Sequence, residues 1–344
     1  MLQIEQENLL IQKTLTERLF PVEGDSLKSL DRIITDFDFT TYHISTVSGD
    51  KGKLLISISQ KCWDDLVKCD NVAYLQSKYE QYKSLTILDN SQIEQGYNYS
   101  LILDTEASVA QDDEETRLKL IEDLALLRRH SMAAPFHKAF NRYDELAKKY
   151  ANSNTYAEEI QQELSGEEVI VIKYRGVDET IYLKPSFDRV TVIFSTLFQD
   201  ETDKVFGKVF LQEFVDARKR SVQTAPQVLY SHVDAPLDIQ NYIPQSKKGK
   251  INDDNKGYVT FVLFPRHLVR GDKRENCISH IQLFRNYFHY HIKCSKAYMH
   301  SRMRFRVKEF LKILNRAKPE NVDDEGKVIE NRKTASGRRF DVKA

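Results

Sequence analysis

The sequence predicts an α+β chain: two related two-layer α/β domains, each an antiparallel sheet with helices on one face, plus a very long C-terminal helix. Three observations predict it. Short strand-like runs separated by glycine-containing turns come in two successive groups. In each group a Gly-Tyr pair opens a strand (Gly96-Tyr97, Gly257-Tyr258), and a polar loop then leads to a long helical segment, which reads as an internal duplication. Residues 272–318 contain neither Gly nor Pro and carry apolar residues at helical spacing. The expected division is residues 1–150 as the first domain including its long helix, 151–318 as the second ending in the long basic helix, and 319–344 as a polar tail.

In chain order, Glu5 to Leu19 mixes apolar and polar residues at spacings of three and four, predicting an amphipathic helix closed by Pro21 and Gly24. Asp31–Phe39, Thr41–Thr46 and Lys53–Ser59 predict strands, with Gly49 and Gly52 turning the chain between the last two. Trp63 to about Tyr82 predicts helix, and Tyr97–Leu103 a strand. After an acidic loop, Glu114–Tyr150 predicts helix, kinked or divided at Pro135. In the second half, Val169–Tyr174, Glu179–Leu183 and Arg189–Thr196 predict strands, with Arg175-Gly176-Val177-Asp178 a tight turn. Lys208–Arg220 reads as beginning strand-like and turning helical. Gln227–Ser231 and Tyr258–Phe264 predict strands, separated by a polar linker at Asn241–Lys256.

With 344 residues, 41% hydrophobic and 10% aromatic, the chain can bury two cores. No apolar run approaches the roughly 18 residues of a membrane span, and the N-terminus lacks a secretory pattern. Cys62, Cys69, Cys277 and Cys294 form no Cys-x-x-Cys pair, which suits reduced thiols in the cytosol. The zero net charge conceals an asymmetry. Residues 104–124 hold eight acids against Arg117 and Lys119, while residues 270–318 hold thirteen Lys/Arg against Asp272, Glu275 and Glu309. A focused positive field suits an acidic polymer or an acidic protein surface; a merely solvated face is the plain alternative.

Enzyme-like patterns are few. Asp36-Phe37-Asp38-Phe39-Thr40 resembles the nucleophile motif of haloacid-dehalogenase-type phosphatases, but that chemistry needs a parallel βαβ sheet. Hairpin-spaced strands follow here, so the acids are expected at a strand edge or turn. His289 and His291 lie two apart on a helix and point away from each other, so His291 with Cys294 alone does not make a metal site. No phosphate-binding or nucleophile-elbow motif is present, and no catalytic, cofactor or metal site is supported.

The final segment poses a length problem. About 45 helical residues make a rod of some 65–70 Å, whereas a domain of 100–150 residues has a radius of gyration near 13–15 Å. Two apolar stripes run along it. One is Ile278, Ile281, Phe284, Phe288, Ile292, Met299, Met303, Phe310 and Leu314; the other is Leu283, Tyr287, Cys294 and Tyr298, shared in part with Tyr290. One stripe can cover the chain's own sheet and the second a partner helix, unless both are internal core. Beyond Arg302 the apolar content narrows and a basic face follows: Arg302, Arg304, Arg306, Lys308, Lys312, Arg316 and Lys318. A basic amphipathic helix is also the pattern that engages anionic lipid or calmodulin.

His289-Tyr290-His291-Ile292-Lys293-Cys294-Ser295-Lys296-Ala297-Tyr298, with Arg302-Met303-Arg304 and Phe310-Leu311-Lys312, resembles the subunit 2 family (34–35 kDa class) of the actin-related protein 2/3 complex. Asp36-Phe37-Asp38, Asp188-Arg189-Val190-Thr191-Val192, Thr224-Ala225-Pro226-Gln227-Val228-Leu229 and Thr260-Phe261-Val262-Leu263-Phe264-Pro265 agree in the same order, from about residue 30 to 340. Lys83–Gln95, Leu237–Lys256 and the acidic loop match least and look like insertions. The resemblance implies a non-catalytic actin-binding scaffold without cofactor. It would form the central core with subunit 4, carry actin-related proteins 2 and 3, and contact the side of a mother filament in branched nucleation, in the cytoplasm at cortical actin patches. Nucleic acid is not an expected partner. On that resemblance Phe284, Tyr287, Phe288 and Tyr298 are assigned to the partner-helix interface. Lys293, Lys296, Arg302, Arg304, Lys308, Lys312 and Arg316 are assigned to the filament.

Overall fold

A computed structural model describes residues 4–21, 28–153, 157–220, 222–232, 234–243 and 255–317. The chain divides into a unit of residues 1–292 and a second of residues 293–344. The expected polar tail and most of the polar linker lie outside the described residues.

The first unit holds two sheets. In one, β1 (Asp31–Asp36), β2 (Thr40–Thr46), β3 (Lys53–Gln60), β4 (Leu85–Ile87) and β5 (Tyr99–Asp104) run in the order β1-β2-β3-β5-β4. In the other, β6 (Ile170–Ile172), β7 (Ile181–Pro185), β8 (Val190–Leu197), β9 (Gln227–His232) and β10 (Lys256–Leu263) run β6-β7-β8-β10-β9. Every pairing is antiparallel. The two orders are the same, position for position: three consecutive strands, then the fifth inserted before the fourth. The duplication read from the Gly-Tyr pairs thus has a topological form.

Period-two alternation sets which faces are buried. Tyr42 and Ile44 of β2, Leu54, Ile56 and Ile58 of β3, and Leu101 and Leu103 of β5 join one core with Val190, Val192 and Phe194 of β8. Helices supply the other layer. α1 (Leu9–Leu19) starts later than the expected Glu5 because Asn8 caps it, its side chain accepting from the amides of Leu10 and Ile11. The segment after β3 is broken into α2 (Trp63–Val67) and α3 (Asn71–Tyr79) at Asp70, which takes a left-handed conformation. The acidic loop contains α4 (Thr105–Gln111), capped by Asp104. The next helical stretch is three helices, α5 (Glu114–Ala125), α6 (Leu127–Ser131) and α7 (Ala134–Lys149). Pro135 lies in the first turn of α7, where its missing N–H costs nothing, so it starts a helix rather than kinking one. α8 (Glu158–Ser165) follows.

Lys208–Arg220 is helical throughout, inside α9 (Glu201–Arg220), and does not begin as a strand. Phe206, Phe210 and Phe214, four apart, pack against the core, while Val205 and Val209 remain exposed. Gly207 allows the close approach: a Cβ there would stand 2.7 Å from Cε1 of Phe198. α10 (Asp272–Ala317) is a single helix of 46 residues.

A buried polar cluster joins the two halves of the first unit. Asp36 ends β1, and Asp38 sits in the Phe37-Asp38-Phe39 turn before β2, so the Asp-x-Asp-x-Thr run belongs to an antiparallel hairpin. Nη1 of Arg128 (α6) is 3.4 Å from Oδ2 of Asp38, and its Nε is 3.6 Å from Oδ2 of Asp36. From the second half, Nη1 of Arg175 is 3.6 Å from Oδ1 of Asp38, and Asn286 of α10 donates to Asp38 at 3.1 Å. Arg285 of α10 donates to both oxygens of Glu179, which also accepts from Arg175.

A smaller cluster carries a pH dependence. His43 of β2 bridges Asp31, at 2.8 Å through Nε2, and Glu94, through Nδ1, and stacks on Tyr97. Burial disfavours the charged ring, but the hydrogen bonds to Asp31 and Glu94 outweigh it and raise the pKa above 6.5. Two donated bonds to two carboxylates require the imidazolium. The stabilisation is therefore complete below the unfolded pKa and is lost as pH rises through the higher folded value. Thermal melts from pH 6 upward are expected to show a steeper decline for the wild type than for His43→Gln. Parallel profiles would refute the bridge.

Candidate functional site

The first stripe of α10 is taken up by the chain itself as far as Ile292. Ile278, Ile281, Phe288 and Ile292 are at most 5% exposed and join the main core. Phe284 meets Phe261 at 4.6 Å and Phe194 at 5.2 Å between ring centroids, and stacks on Phe288 at 5.5 Å. Of the four residues assigned to a partner helix, Phe288 is thus enclosed by its own fold. Phe284, 8% exposed, shows only an edge. The reason is position: Phe261 and Phe194 on adjacent strands of the second sheet offer the aromatic surface that this stripe covers.

The second stripe faces outward. Leu283, Tyr287 and Tyr290 are half-buried, and Cys294 and Tyr298 are exposed. Tyr287 packs on the ring of His291 at 4.2 Å. Beside it runs an apolar groove of about 670 Å³, walled by Leu283, Phe284 and Tyr287 of α10, Phe214 of α9, and Val228 and Phe261 of the sheet. Its lining brings together α9, β9, β10 and α10 with the N-terminal residues Ile4, Glu5, Gln6 and Glu7.

In the second unit, the helix from Lys293 to Ala317 is exposed almost throughout, only Ser295, Lys296 and Glu309 being partly covered. It carries eight Lys/Arg against Glu309. Arg304, Lys308, Lys312 and Arg316 recur every four residues and form one row. Arg302 donates to the Tyr298 hydroxyl at 2.7 Å and lies over its ring, and Lys312 pairs with Glu309 at 2.8 Å. Among the described residues, Arg304, Lys308 and Arg316 have no carboxylate within ion-pair distance.

The apolar content does not narrow beyond Arg302. Tyr298, Met299, Met303, Phe305, Val307, Phe310, Leu311, Ile313 and Leu314 are all 43–65% exposed. Met299, Met303, Val307 and Leu311, spaced by four, make a second row beside the basic one. Met303, Val307 and Leu311 share a shallow groove with Arg304, Lys308 and Lys312. Val307 and Leu311 fall in no stripe read from the sequence because basic residues interrupt them in print; counting every fourth residue recovers the row. Nine large apolar side chains exposed on one helix exceed the scattered few of an ordinary surface.

Among the described residues, no group of three or more His, Cys, Asp or Glu is placed to hold a metal ion. His289 is tucked against Phe198 and Phe288, and His291 stacks on Phe210 at 5.1 Å. Burial raises the Cys62 and Cys277 thiols to about 12, which leaves them protonated and unreactive at neutral pH. No helix is long and apolar enough to cross a membrane among the described residues.

The sequence profile described as Arp2/3 complex, 34 kD subunit p34-Arc matches residues 56–321. The chain is 47% identical over 341 residues to Actin-related protein 2/3 complex subunit 2 of Schizosaccharomyces pombe, covering 99% of each. It is 36% identical over 307 residues to the Dictyostelium discoideum protein of the same name, covering 89% of this chain and 91% of that one.

Proposed function

The chain belongs to the family of Arp2/3 complex 34 kD subunits, p34-Arc, and we propose that it works as the scaffold of such a complex, pairing with subunit 4 and contacting the side of a mother actin filament. The family is structural and non-catalytic. Actin-related proteins 2 and 3 would sit on the scaffold, and the protein would act in the cytoplasm at cortical actin patches.

The observation that carries the reading is the exposed helix of the second unit, where an apolar row runs beside a basic one. The apolar row suits a partner helix, since such a surface is not left wet in an assembled protein. The basic row suits an acidic filament: Arg304, Lys308 and Arg316, without an ion-pair partner among the described residues, keep their full capacity for carboxylates. Upstream, Tyr287 and Leu283 beside their groove offer a further strip to the helix of subunit 4, and Phe284 forms part of the wall.

Tyr287→Ala is expected to weaken co-purification with subunit 4 by about tenfold or more, as truncating a central aromatic anchor does. The chain's own melting point should shift little, because Tyr287 is only half-buried here. Undiminished pairing would remove Tyr287 from the interface. Filament co-sedimentation of the reconstituted complex at rising salt tests the basic row. Binding that weakens with salt supports it, and salt-independent binding refutes it. Binding of the isolated chain to anionic vesicles or calmodulin, with no effect of filaments, would favour the alternative of a regulatory basic helix.

A further inference from the structure

The turn between β1 and β2 is held in an unusual backbone shape. Asp38 and Phe39 are consecutive non-glycine residues with positive φ, 59° and 56°. A bulky side chain adopts that region only where its surroundings over-determine it. Here they do. Asp36↔Thr40 is a cross-strand pair, the amide of Phe37 donates to Oδ1 of Asp36 at 2.7 Å, and the amide of Thr40 donates to the carbonyl of Phe37 at 3.2 Å. The Asp38 carboxylate, 3% exposed, is anchored by Arg128, Arg175 and Asn286.

What this anchoring achieves is display. Phe39 is 54% exposed and Phe37 38% exposed, and neither joins any core cluster. Glycine would occupy position 39 without strain, yet the chain carries a phenylalanine and points it outward. Cations flank the rings. Cζ of Arg175 stands 4.6 Å and Nζ of Lys61 5.1 Å from the Phe39 ring centre, and Cζ of Arg128 5.6 Å from that of Phe37. Rigid aromatics beside guanidinium groups are the composition of protein–protein hot spots. Rigidity lowers the entropic cost of docking.

We infer that the Phe37-Asp38-Phe39 turn is a preorganised docking knob for another subunit of the same assembly, one whose surface offers an apolar socket edged by carboxylates. The carboxylates follow from charge complementarity: the acids of the turn are already neutralised internally by Arg128 and Arg175, so exposed Lys61 beside the Phe39 ring sets the sign presented outward. A subunit fits better than a transient partner because the chain's own buried cluster holds the knob in one shape before assembly, ready to be covered permanently. The inference rests on membership of an Arp2/3-type complex.

The experiment uses the full chain co-expressed with the other subunits of the complex. Phe39→Gly is expected to leave the melting temperature of the isolated chain unchanged or higher, since glycine accepts the positive φ. In competition with wild type its incorporation into the complex should fall at least tenfold. Lys61→Glu should lower incorporation too. Hydroxyl-radical labelling of Phe37 and Phe39 should drop on assembly, before any filament is added. Equal incorporation of Phe39→Gly, unchanged labelling on assembly, or a lower melting temperature for Phe39→Gly would each overturn the inference. Protection that comes only with filaments would give the turn to the filament and overturn the subunit assignment. A wild-type chain that fails to assemble at all would defeat the underlying reading instead.

Discussion

Reversing Lys308, Lys312 and Arg316 to Glu should lower the affinity of the complex for filament sides by about 10–100-fold at physiological salt. Exposed ion pairs contribute roughly 0.2–1 kcal/mol each, and three are lost while three repulsions of similar size replace them. The row geometry makes the effect collective, since Lys308, Lys312 and Arg316 follow Arg304 at intervals of four on one side of the helix. Folding should not suffer. All three side chains are exposed, and among the described residues the only ion pair lost is Lys312–Glu309, itself on the surface. The melting point and co-purification with subunit 4 therefore serve as internal controls. Co-sedimentation over a range of filament concentrations measures the loss. The mutant should also show a flatter salt dependence, because fewer counterions are exchanged on binding. Wild-type affinity in the mutant, with the controls intact, would place the filament contact elsewhere.

Much of the fold was legible because the chain is locally consistent. α10 was expected over Asp272–Lys318 and is helical through Ala317, the last described residue. Two signals agreed there, the absence of Gly and Pro and an unbroken helical period. The strands with alternating apolar residues, such as Lys53–Gln60 and Val190–Leu197, were also readable to within a residue or two. β4, three residues long, and α4, hidden in an acidic segment, carry too little pattern to announce themselves. In α9 the doubled Val-Phe pairs imitate a strand, and only the packing of Phe206, Phe210 and Phe214 shows the helical face. Tertiary contact decided what propensity left balanced.

The candidate site was legible in composition and less so in orientation. Periodicity separates the stripes of a helix but does not say which one meets the sheet. Phe284 and Tyr287 look alike in print, yet the aromatic surface of Phe194 and Phe261 draws Phe284 inward. The basic row was readable because Arg304, Lys308, Lys312 and Arg316 share one spacing. The anchoring of Asp38 was not, because Arg128 of α6, Arg175 of the turn before β7 and Asn286 of α10 reach it only through the fold.

That hidden cluster sets the largest expected effect on stability. Arg128→Met should cost about 3–5 kcal/mol, the usual cost of leaving a buried charge without its partner. Arg128 is 1% exposed and stands between Asp38, 3% exposed, and Asp36, and it also donates to Oε1 of Gln6 at 2.9 Å. Methionine fills a similar volume, so the loss is electrostatic rather than a cavity. The backbone amide of Arg128 still donates to the Tyr42 hydroxyl, so α6 keeps that tether. For a unit of this size the melting point should fall by roughly 10 °C. The triple change Arg128→Met, Asp36→Asn and Asp38→Asn removes the stranded charges together with the cation. It should therefore be more stable than Arg128→Met alone, a non-additivity expected of side chains in one network. Were the triple variant as unstable as the single one, shape and hydrogen bonding rather than charge would hold this seam. Because Asp38 also anchors the strained Phe39 turn, the same variants should loosen that turn. The isolated chain would then show faster amide exchange at Phe39 and Thr40 even where its global stability is restored.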